Sequence, residues 1–304
     1  MNVFVVYYAF LNEKKLWWDI VLGQLVQLGE SNLLNMAKLY IQLCGSQENL
    51  NKAKLIIGKL MKYPYEIETC NVNNYEYFGI NKVWNLAQDN QDKLILYFHS
   101  KGMTSYKGSN RCGIEKKLFQ EVVLPYKKII QIFNSNPNIN KIGFAASQHG
   151  WIWFNFWWAR GLYLSKCQKP VINTNRHYYE SWIYSNKEKV SSYQDCYSLA
   201  TNSIKYFDPM AATISINKIP LKEINGSEMI GIYGNNNNFK NVTHILKKMI
   251  IKGKYIQIPS GKLSIKFFPE IQIQNNKNNS LIICVGHKIY TFNELNTSSK
   301  FIRL

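Results

Sequence analysis

A short polar segment follows the most continuous apolar run of the sequence and has residue types that could bind phosphate. The run 93–98 leads directly into His99, Ser100, Lys101 and Gly102. A cation, a hydroxyl and free backbone amides at the end of a strand suit a diphosphate. The alternative is an ordinary loop with a solvated lysine, and the residue types alone favour that alternative.

Aromatic residues crowd the segment 151–158, and Asn155 and Arg160 accompany them. The faces of Trp157 and Trp158 could stack on sugar rings, since aromatic rings combine a large apolar face with a polar edge. Asn155 and Arg160 could bond to hydroxyls or to phosphate. The alternative is a packed core helix in which only the end of Arg160 reaches water.

A single carboxylate, Glu180, stands among aromatic residues in the segment 176–183, which also holds Trp182. Apolar surroundings can raise the pKa of a carboxyl group, so that it serves as a general base. The alternative is a helix-surface glutamate that pairs with Arg176 at i,i+4 spacing. Without further context, the pattern favours the surface pair.

The elements that must position these residues alternate between strands and helices. Apolar runs predict strands at 3–7, 38–43, 66–70, 93–98 and 141–145, and helical spacing predicts helices at 16–28, 52–61, 75–87 and 114–133, the last kinked or split at Pro125. This order predicts an α/β fold with a mostly parallel sheet and helices on both faces. Ligands bind beyond the carboxyl ends of such strands, so the loops after Tyr7, Cys70 and Phe98 are candidate walls of a site.

The pattern changes near residue 225. Short strands, turns and asparagine-rich stretches replace the longer alternation, with strands predicted at 254–258, 263–268 and 281–285 and one helix at 242–251. We therefore predict two domains, an α/β domain at 1–224 and a small β-rich domain at 225–304.

Composition restricts the class of protein. The 304 residues carry a net charge of +18, which would attract a polyanion, but the lysines are scattered and compositional bias explains them better. No apolar run is long enough to span a membrane, and the longest, 3–11, is predicted to be a buried strand. The six cysteines show no CxxC spacing, so we predict free thiols in a reducing compartment, the cytoplasm, and no metal site.

Taken together, three segments resemble a family of bacterial and giant-virus glycosyltransferases. The matching residues are His99-Ser-Lys-Gly102, Asn155-Phe-Trp-Trp-Ala-Arg160 and Glu180-Ser-Trp-Ile183, in the family's order and spacing over roughly residues 1–210. The resemblance implies a GT-A-like nucleotide-sugar transferase, in the host cytoplasm if the source is viral. The tail is similar to a small β domain of unassigned role that is appended to some of these transferases.

The resemblance also implies roles for these residues. The donor would be a nucleotide sugar and the acceptor a glycan or protein hydroxyl. Glu180 would deprotonate that acceptor if the enzyme inverts the anomeric configuration, and the sequence leaves inversion and retention open. Asn155, Trp157, Trp158, Arg160 and Trp182 would shape the sugar and acceptor site. Tyr7, Tyr8, His99, Ser100, Lys101 and Gly102 would bind the donor.

The sequence departs from the family in two places. Phe154 stands where the family often has glycine, and His99-Ser100-Lys101 stands where the fold usually has a metal-binding Asp-x-Asp. A divalent cation normally neutralises the leaving diphosphate. The use of Mn²⁺ or Mg²⁺ is therefore open, and Lys101, with His99, could supply the positive charge.

Two other functions fit part of the sequence. Charge and aromatic residues would suit a non-catalytic nucleic-acid binder. The sequence shows no recognised nucleic-acid motif, however, and its basic residues do not alternate with the tryptophans, so nucleic acid is disfavoured. Alternatively, the missing Asp-x-Asp would suit a degenerate transferase that serves as an interaction module.

Overall fold

The structure is a computed structural model that describes most of the chain. The described residues are 2–12, 17–101, 113–188, 192–221, 229–235, 238–251, 255–258, 260–263, 279–285, 288–296 and 298–303. Gly102 and the proposed domain boundary near residue 225 lie outside them, as does the predicted strand 263–268 apart from Leu263.

Seven strands form the central sheet. They are β1 (Val3–Leu11), β2 (Ala37–Gly45), β3 (Tyr65–Cys70), β4 (Leu94–His99), β5 (Lys141–Gly143), β6 (Trp157–Arg160) and β7 (Cys196–Ser198). Their order is β3-β2-β1-β4-β6-β5-β7, and only β6 runs antiparallel to its neighbours in this sheet. The long buried runs of β1 and β2 are typical of strands covered on both faces.

Helices cover both faces of this sheet. Those of the described residues are α1 (Trp17–Glu30), α2 (Gln47–Leu60), α3 (Tyr77–Asp89), α4 (Gly113–Leu118), α5 (Tyr126–Ser135), α6 (Gly161–Ser165), α7 (His177–Ser181), α8 (Pro209–Lys218) and α9 (Thr243–Lys248). One core holds α1, α2 and α5, and the other holds α3, α6 and α7. The predicted α/β fold class, a mostly parallel sheet with flanking helices, is confirmed.

Pro125 splits the helix predicted at 114–133. A wide, π-type turn over Phe119–Val123 precedes the proline, and α5 begins directly after it. Proline has no backbone N–H to donate and clashes with the preceding turn, which accounts for the break between the two helical segments.

The C-terminal part is β-rich, as predicted. Its strands are β8 (Met229–Asn235), β9 (Asn238–Asn241), β10 (Ile250–Ile251), β11 (Tyr255–Ile258), β12 (Gly261–Lys262), β13 (Ser280–Val285), β14 (Lys288–Asn293), β15 (Leu295–Asn296) and β16 (Lys300–Arg303). They form antiparallel sheets in the orders β14-β13-β8-β9, β10-β11-β16 and β12-β15. The largest of these sheets packs against α1 and α2, and its Ile232 and Ile282 join the core beneath them.

No helix within the described ranges is both long enough and apolar enough to cross a membrane.

Candidate functional site

A cavity of about 390 Å³ opens at the carboxyl ends of β1 and β4, where parallel sheets bind ligands. The segment before α3 and the short helix α7 close its other sides. Ten described residues line it: Tyr8, Phe10, Asn73, Tyr75, Glu76, His99, Ser100, Lys101, Arg176 and Glu180. The predicted loops after β1, β3 and β4 therefore do meet at one place.

The two tyrosines predicted to bind the donor lie on opposite faces of β1, because neighbouring residues of a strand alternate. Tyr8 lines the cavity. Tyr7 is fully buried on the other face, stacks on Phe98 at a centroid distance of 4.8 Å and donates a hydrogen bond to Gln24 Oε1 at 2.7 Å. This buried position corrects the expectation that Tyr7 contacts the donor, and Tyr7 instead holds α1 on the sheet.

The segment after β4 is fixed to the end of β1. Ser100 N donates to Tyr8 O at 2.9 Å, and Ser100 Oγ accepts from Phe10 N at 3.2 Å. Lys101 follows, with its Nζ 5.6 Å from the centre of the Phe154 ring. These bonds hold His99, Ser100 and Lys101 at the cavity, as the sequence predicts.

Glu76 is a cavity residue that the sequence analysis did not identify. It lies just before α3, and its side chain is only 16% exposed. Its Oε1 is 3.1 Å from His99 Nδ1, and its Oε2 accepts from Asn155 Nδ2 at 3.3 Å. Burial raises the pKa of Glu76 to about 7, although the nearby charge of Lys101 opposes the rise.

The imidazole beside Glu76 is held neutral. Burial, followed by the positive charge of Lys101, lowers the pKa of His99 to about 3. His99 Nε2 lies 3.4 Å from the carbonyl oxygen of Phe154, which can only accept a hydrogen bond. The proton of the neutral ring therefore belongs on Nε2, and Nδ1 is free to accept the proton of a neutral Glu76 carboxyl.

Asn155 orients this pair instead of facing a sugar. It is 1% exposed, and its Oδ1 accepts from Trp157 Nε1 at 2.7 Å, which turns its Nδ2 toward Glu76. The turn that places it has positive φ at Phe154 (72°) and Asn155 (57°). Glycine adopts this conformation without strain, so Phe154 has a backbone geometry that its side chain disfavours.

The aromatic segment is a 3-10 turn over Trp153–Asn155 followed by the strand β6, neither a core helix nor an exposed platform. Trp157 and Trp158, on β6, are fully buried and pack into the cores on opposite faces of the sheet. Trp158 Nε1 donates to Val122 O at 2.7 Å. Because neither ring has an exposed face, this placement corrects the expectation that they stack on a sugar.

Arg160 and Trp182 also have structural partners. Arg160 Nη2 donates to Phe133 O at 2.6 Å, near the end of α5, at the opposite end of β6 from Asn155. Trp182 is 1% exposed, and its Nε1 donates to Gln168 O at 2.8 Å. The structure does not bring either side chain into the lining of the cavity, which corrects their expected role in binding.

Glu180 and Arg176 reach the cavity from α7 and the residue before it. The Glu180 side chain is 33% exposed, and its Oε2 lies 3.7 Å from His177 Nδ1. Arg176 lines the same cavity, so two cations, Arg176 and Lys101, face two carboxylates, Glu180 and Glu76. The part of the chain that the structure describes contains no group of three or more His, Cys, Asp or Glu side chains placed to hold a metal ion.

Two solved structures are similar to the chain at a low level. One is a cytidylyltransferase from Leptospira borgpetersenii serovar Hardjo-bovis (strain JB197), with 12% identity, a TM-score of 0.38 and coverage of 62% of this chain and 74% of that one. The other is residues 1–349 of TarS from S. aureus, with 10% identity, a TM-score of 0.37 and coverage of 63% of this chain and 57% of that one. The chain thus spans little more than half of the TarS structure, and scores this low carry no inference about activity.

A search of curated proteins found no match. Residues 4–203 match the family described as Domain of unknown function (DUF8361), and this range contains the central sheet apart from Val3 and every described residue that lines the cavity. The chain therefore belongs to the DUF8361 family.

Proposed function

We propose that the protein transfers a sugar from a nucleoside-diphosphate donor to a hydroxyl of a glycan or protein acceptor. The observation that carries this proposal is the cavity beyond β1 and β4, where Lys101 and Arg176 face Glu76 and Glu180. The cations suit a diphosphate, and the carboxylates suit the proton that the acceptor loses. The glycosyltransferase motifs of the sequence support the same reaction.

On the donor side, Lys101 and Arg176 would stabilise the negative charge that develops on the leaving diphosphate. The proposal assigns charge neutralisation to these two residues, and the experiment below tests whether Mn²⁺ assists them. Ser100 and Tyr8 would form the wall beside them. Gly102, also expected to contact the donor, lies outside the described residues.

On the acceptor side, the hydroxyl oxygen would attack the anomeric carbon as the bond from that carbon to the diphosphate breaks. Glu180, the more exposed of the two carboxylates, would accept the hydroxyl proton. Glu76 is the second candidate base, since a pKa of about 7 is close to the optimum for proton transfer at neutral pH. Its bonds to His99 and Asn155 hold it in one orientation.

The decisive experiment measures release of UDP, GDP or dTDP from a panel of nucleotide sugars, with and without Mn²⁺. Turnover of one donor that depends on Lys101 is the expected result. The absence of turnover, with salt-dependent binding of oligonucleotides instead, would favour the nucleic-acid binder. Donor binding without turnover under any metal condition would favour the degenerate transferase.

We also propose that the protein resides in the cytoplasm, or in the host cytoplasm if its source is viral. Cys44, Cys70, Cys167 and Cys196 are free thiols, as expected in a reducing compartment. Mass spectrometry after alkylation without reductant should find all of them modified once the protein is unfolded, and a disulfide would contradict the proposal.

A further inference from the structure

A second cavity, of about 320 Å³, lies on the α/β part and has no role in the reaction proposed above. His149, Gln168, Tyr184, Ser185 and Asn186 line it. Its volume is at the small end of the range of roughly 300–1,000 Å³ that is usual for small-molecule sites. The lining combines two aromatic side chains with amides and a hydroxyl.

The aromatic wall of this cavity is supported from behind by Trp151. The ring of His149 stacks on Trp151 at a centroid distance of 5.4 Å, and the ring of Tyr184 contacts Trp151 at 5.7 Å. A tight turn fixes the position of His149, because Gly150 N and Trp151 N donate to Ser147 O and Ser147 Oγ at 3.0 and 3.2 Å. Tyr184 is 40% exposed and so can present its ring to a ligand.

The polar wall is equally well fixed. Gln168 N donates to Ser185 O at 3.1 Å, and Lys187 N donates to Lys166 O at 3.1 Å, so that the two segments pair through one isolated antiparallel bridge. The residues of these segments that line the cavity, Gln168, Ser185 and Asn186, all have neutral side chains that can donate and accept hydrogen bonds. Such groups match the hydroxyls of a neutral sugar.

The described residues that line this cavity include no Lys, Arg, Asp or Glu, which favours a saccharide over a nucleic acid as the ligand. Sites for single-stranded nucleic acid combine stacking rings with a cationic groove. The lining residues include no lysine, arginine, aspartate or glutamate, and nearby Lys166 pairs with Glu188. A neutral ligand with hydroxyls above its apolar ring face fits this lining better than a polyanion.

One short stretch of chain contributes to both cavities. Arg176 and Glu180 line the first cavity and Tyr184 lines the second. Tyr184 ends the 3-10 turn that follows α7. Four residues of helix advance about 6–8 Å along the axis, so Tyr184 lies close to Glu180 along this stretch.

We propose that the second cavity binds a neutral oligosaccharide, stacked on Tyr184 and His149 and hydrogen-bonded to Gln168, Ser185 and Asn186. The claim that this cavity holds the acceptor glycan rests on the proposed function. The claim that it binds a saccharide does not. A glycan in this cavity would extend along α7 and present its terminal hydroxyl to Glu180.

Saturation-transfer NMR with maltotriose, mannotriose and chitotriose tests saccharide binding without any donor. We expect transfer to at least one trisaccharide from the parent and from Tyr184→Phe, and a loss of about fivefold or more in Tyr184→Ala, because stacking is lost. Tyr255→Ala is the matched control, since Tyr255 is also 40% exposed but lies on β11. Thermal melts establish that each variant folds.

Three results would overturn the proposal: no transfer from the parent to any trisaccharide, undiminished transfer from Tyr184→Ala, or loss of oligothymidylate binding in that variant without loss of saccharide binding. Titrations with nucleotides distinguish failure of saccharide binding from failure of the proposed function. Tyr184→Ala should keep the parent's affinity for UDP, GDP or dTDP, and Lys101→Ala should keep its affinity for the trisaccharide.

Discussion

The two carboxylates of the first cavity differ in their surroundings, and this difference separates the roles that we propose for them. Glu180 is held by one weak contact to His177, whereas Glu76 is bonded to both His99 and Asn155. A base must reach the acceptor hydroxyl, and the more exposed Glu180 is better placed to do so.

Glu180→Gln should therefore lower turnover by about 10²–10⁴-fold while leaving folding and donor binding unchanged, since glutamine cannot accept the proton. The rate of nucleotide release with donor and acceptor present measures this effect. Glu188→Gln, an exposed change in the same segment, is the control and should retain activity. If Glu76→Gln abolishes turnover and Glu180→Gln does not, Glu76 is the base.

Lys101→Ala should weaken binding of the nucleoside diphosphate by about 1.5–3 kcal/mol, because a charge-assisted hydrogen bond is lost. Calorimetric titration measures this difference. Lys127→Ala, on the exposed side of α5, removes the same charge far from the cavity and should have little effect. Equal affinities in the two variants would show that Lys101 is a surface lysine.

Glu76 and His99 should contribute to the pH dependence of the free energy of unfolding with opposite signs. The folded pKa of Glu76, about 7, lies above its ordinary value of 4.5, so its contribution to stability is lost as pH rises through this interval. The folded pKa of His99, about 3, lies below its ordinary value of 6.5, so its contribution is lost as pH falls from 6.5. Between pH 4.5 and 6.5 the two effects oppose each other and cancel.

Glu76→Gln removes the contribution of Glu76 to the pH dependence of stability and leaves that of His99. Its free energy of unfolding should rise with pH between 4.5 and 6.5 by about 1.4 kcal/mol per pH unit more than that of the parent, since one proton is then linked to unfolding. Urea denaturation at pH 5 and pH 6 measures the difference. Glu188→Gln should show the parent's slope, and a parallel slope in Glu76→Gln would mean that the pKa of Glu76 is not raised in the folded protein.

At the level of elements, the close approach of α6 to the turn before β4 depends on a glycine. Gly161 N donates to Lys93 O at 2.8 Å, and a Cβ on Gly161 would lie 2.3 Å from the carbonyl oxygen of Asn90. Both neighbours belong to the backbone, so the added atom can be accommodated only if the two segments separate.

Gly161→Ala should therefore lower the free energy of unfolding by about 1–3 kcal/mol, the usual cost of overpacking. Gly113→Ala, at the start of α4, is the matched control, since a Cβ there would have no neighbour within 4 Å. That change should leave stability unchanged or raise it, because alanine favours a helix more than glycine does. Chemical denaturation of both variants gives the comparison, and equal stabilities would show that α6 can shift freely.

The elements also show which parts of the molecule can be predicted from the sequence. Buried strands such as β1 and β4 are visible as apolar runs, and Pro125 marks the break in a helix. The strand β6 is harder to predict from the sequence, because its two tryptophans face opposite cores and so give no alternating pattern. The many aromatic residues of this segment also fit a binding platform. Glu76 has no local pattern that marks it, since its environment comes from β4 and from Asn155, which are distant in sequence.

At the scale of the whole molecule, the C-terminal sheets have a core of their own but also share one with the α/β part. Leu246, Ile256 and Leu281 belong to the first of these cores. Ile232 and Ile282 instead join the core beneath α1 and α2. The two predicted domains are therefore in contact through apolar side chains, and their division near residue 225 remains a prediction.

Limited digestion with a glutamate-specific protease should cleave this chain near residues 223–228, which contain Glu223 and Glu228. A stable fragment of about 220 residues should accumulate, because cleavage concentrates at exposed linkers. The two fragments should separate on a denaturing gel but elute together from a sizing column, since Ile232 and Ile282 keep apolar surface buried between them. Degradation without such a fragment would contradict two domains, and separate elution under native conditions would show that the shared core does not hold them together.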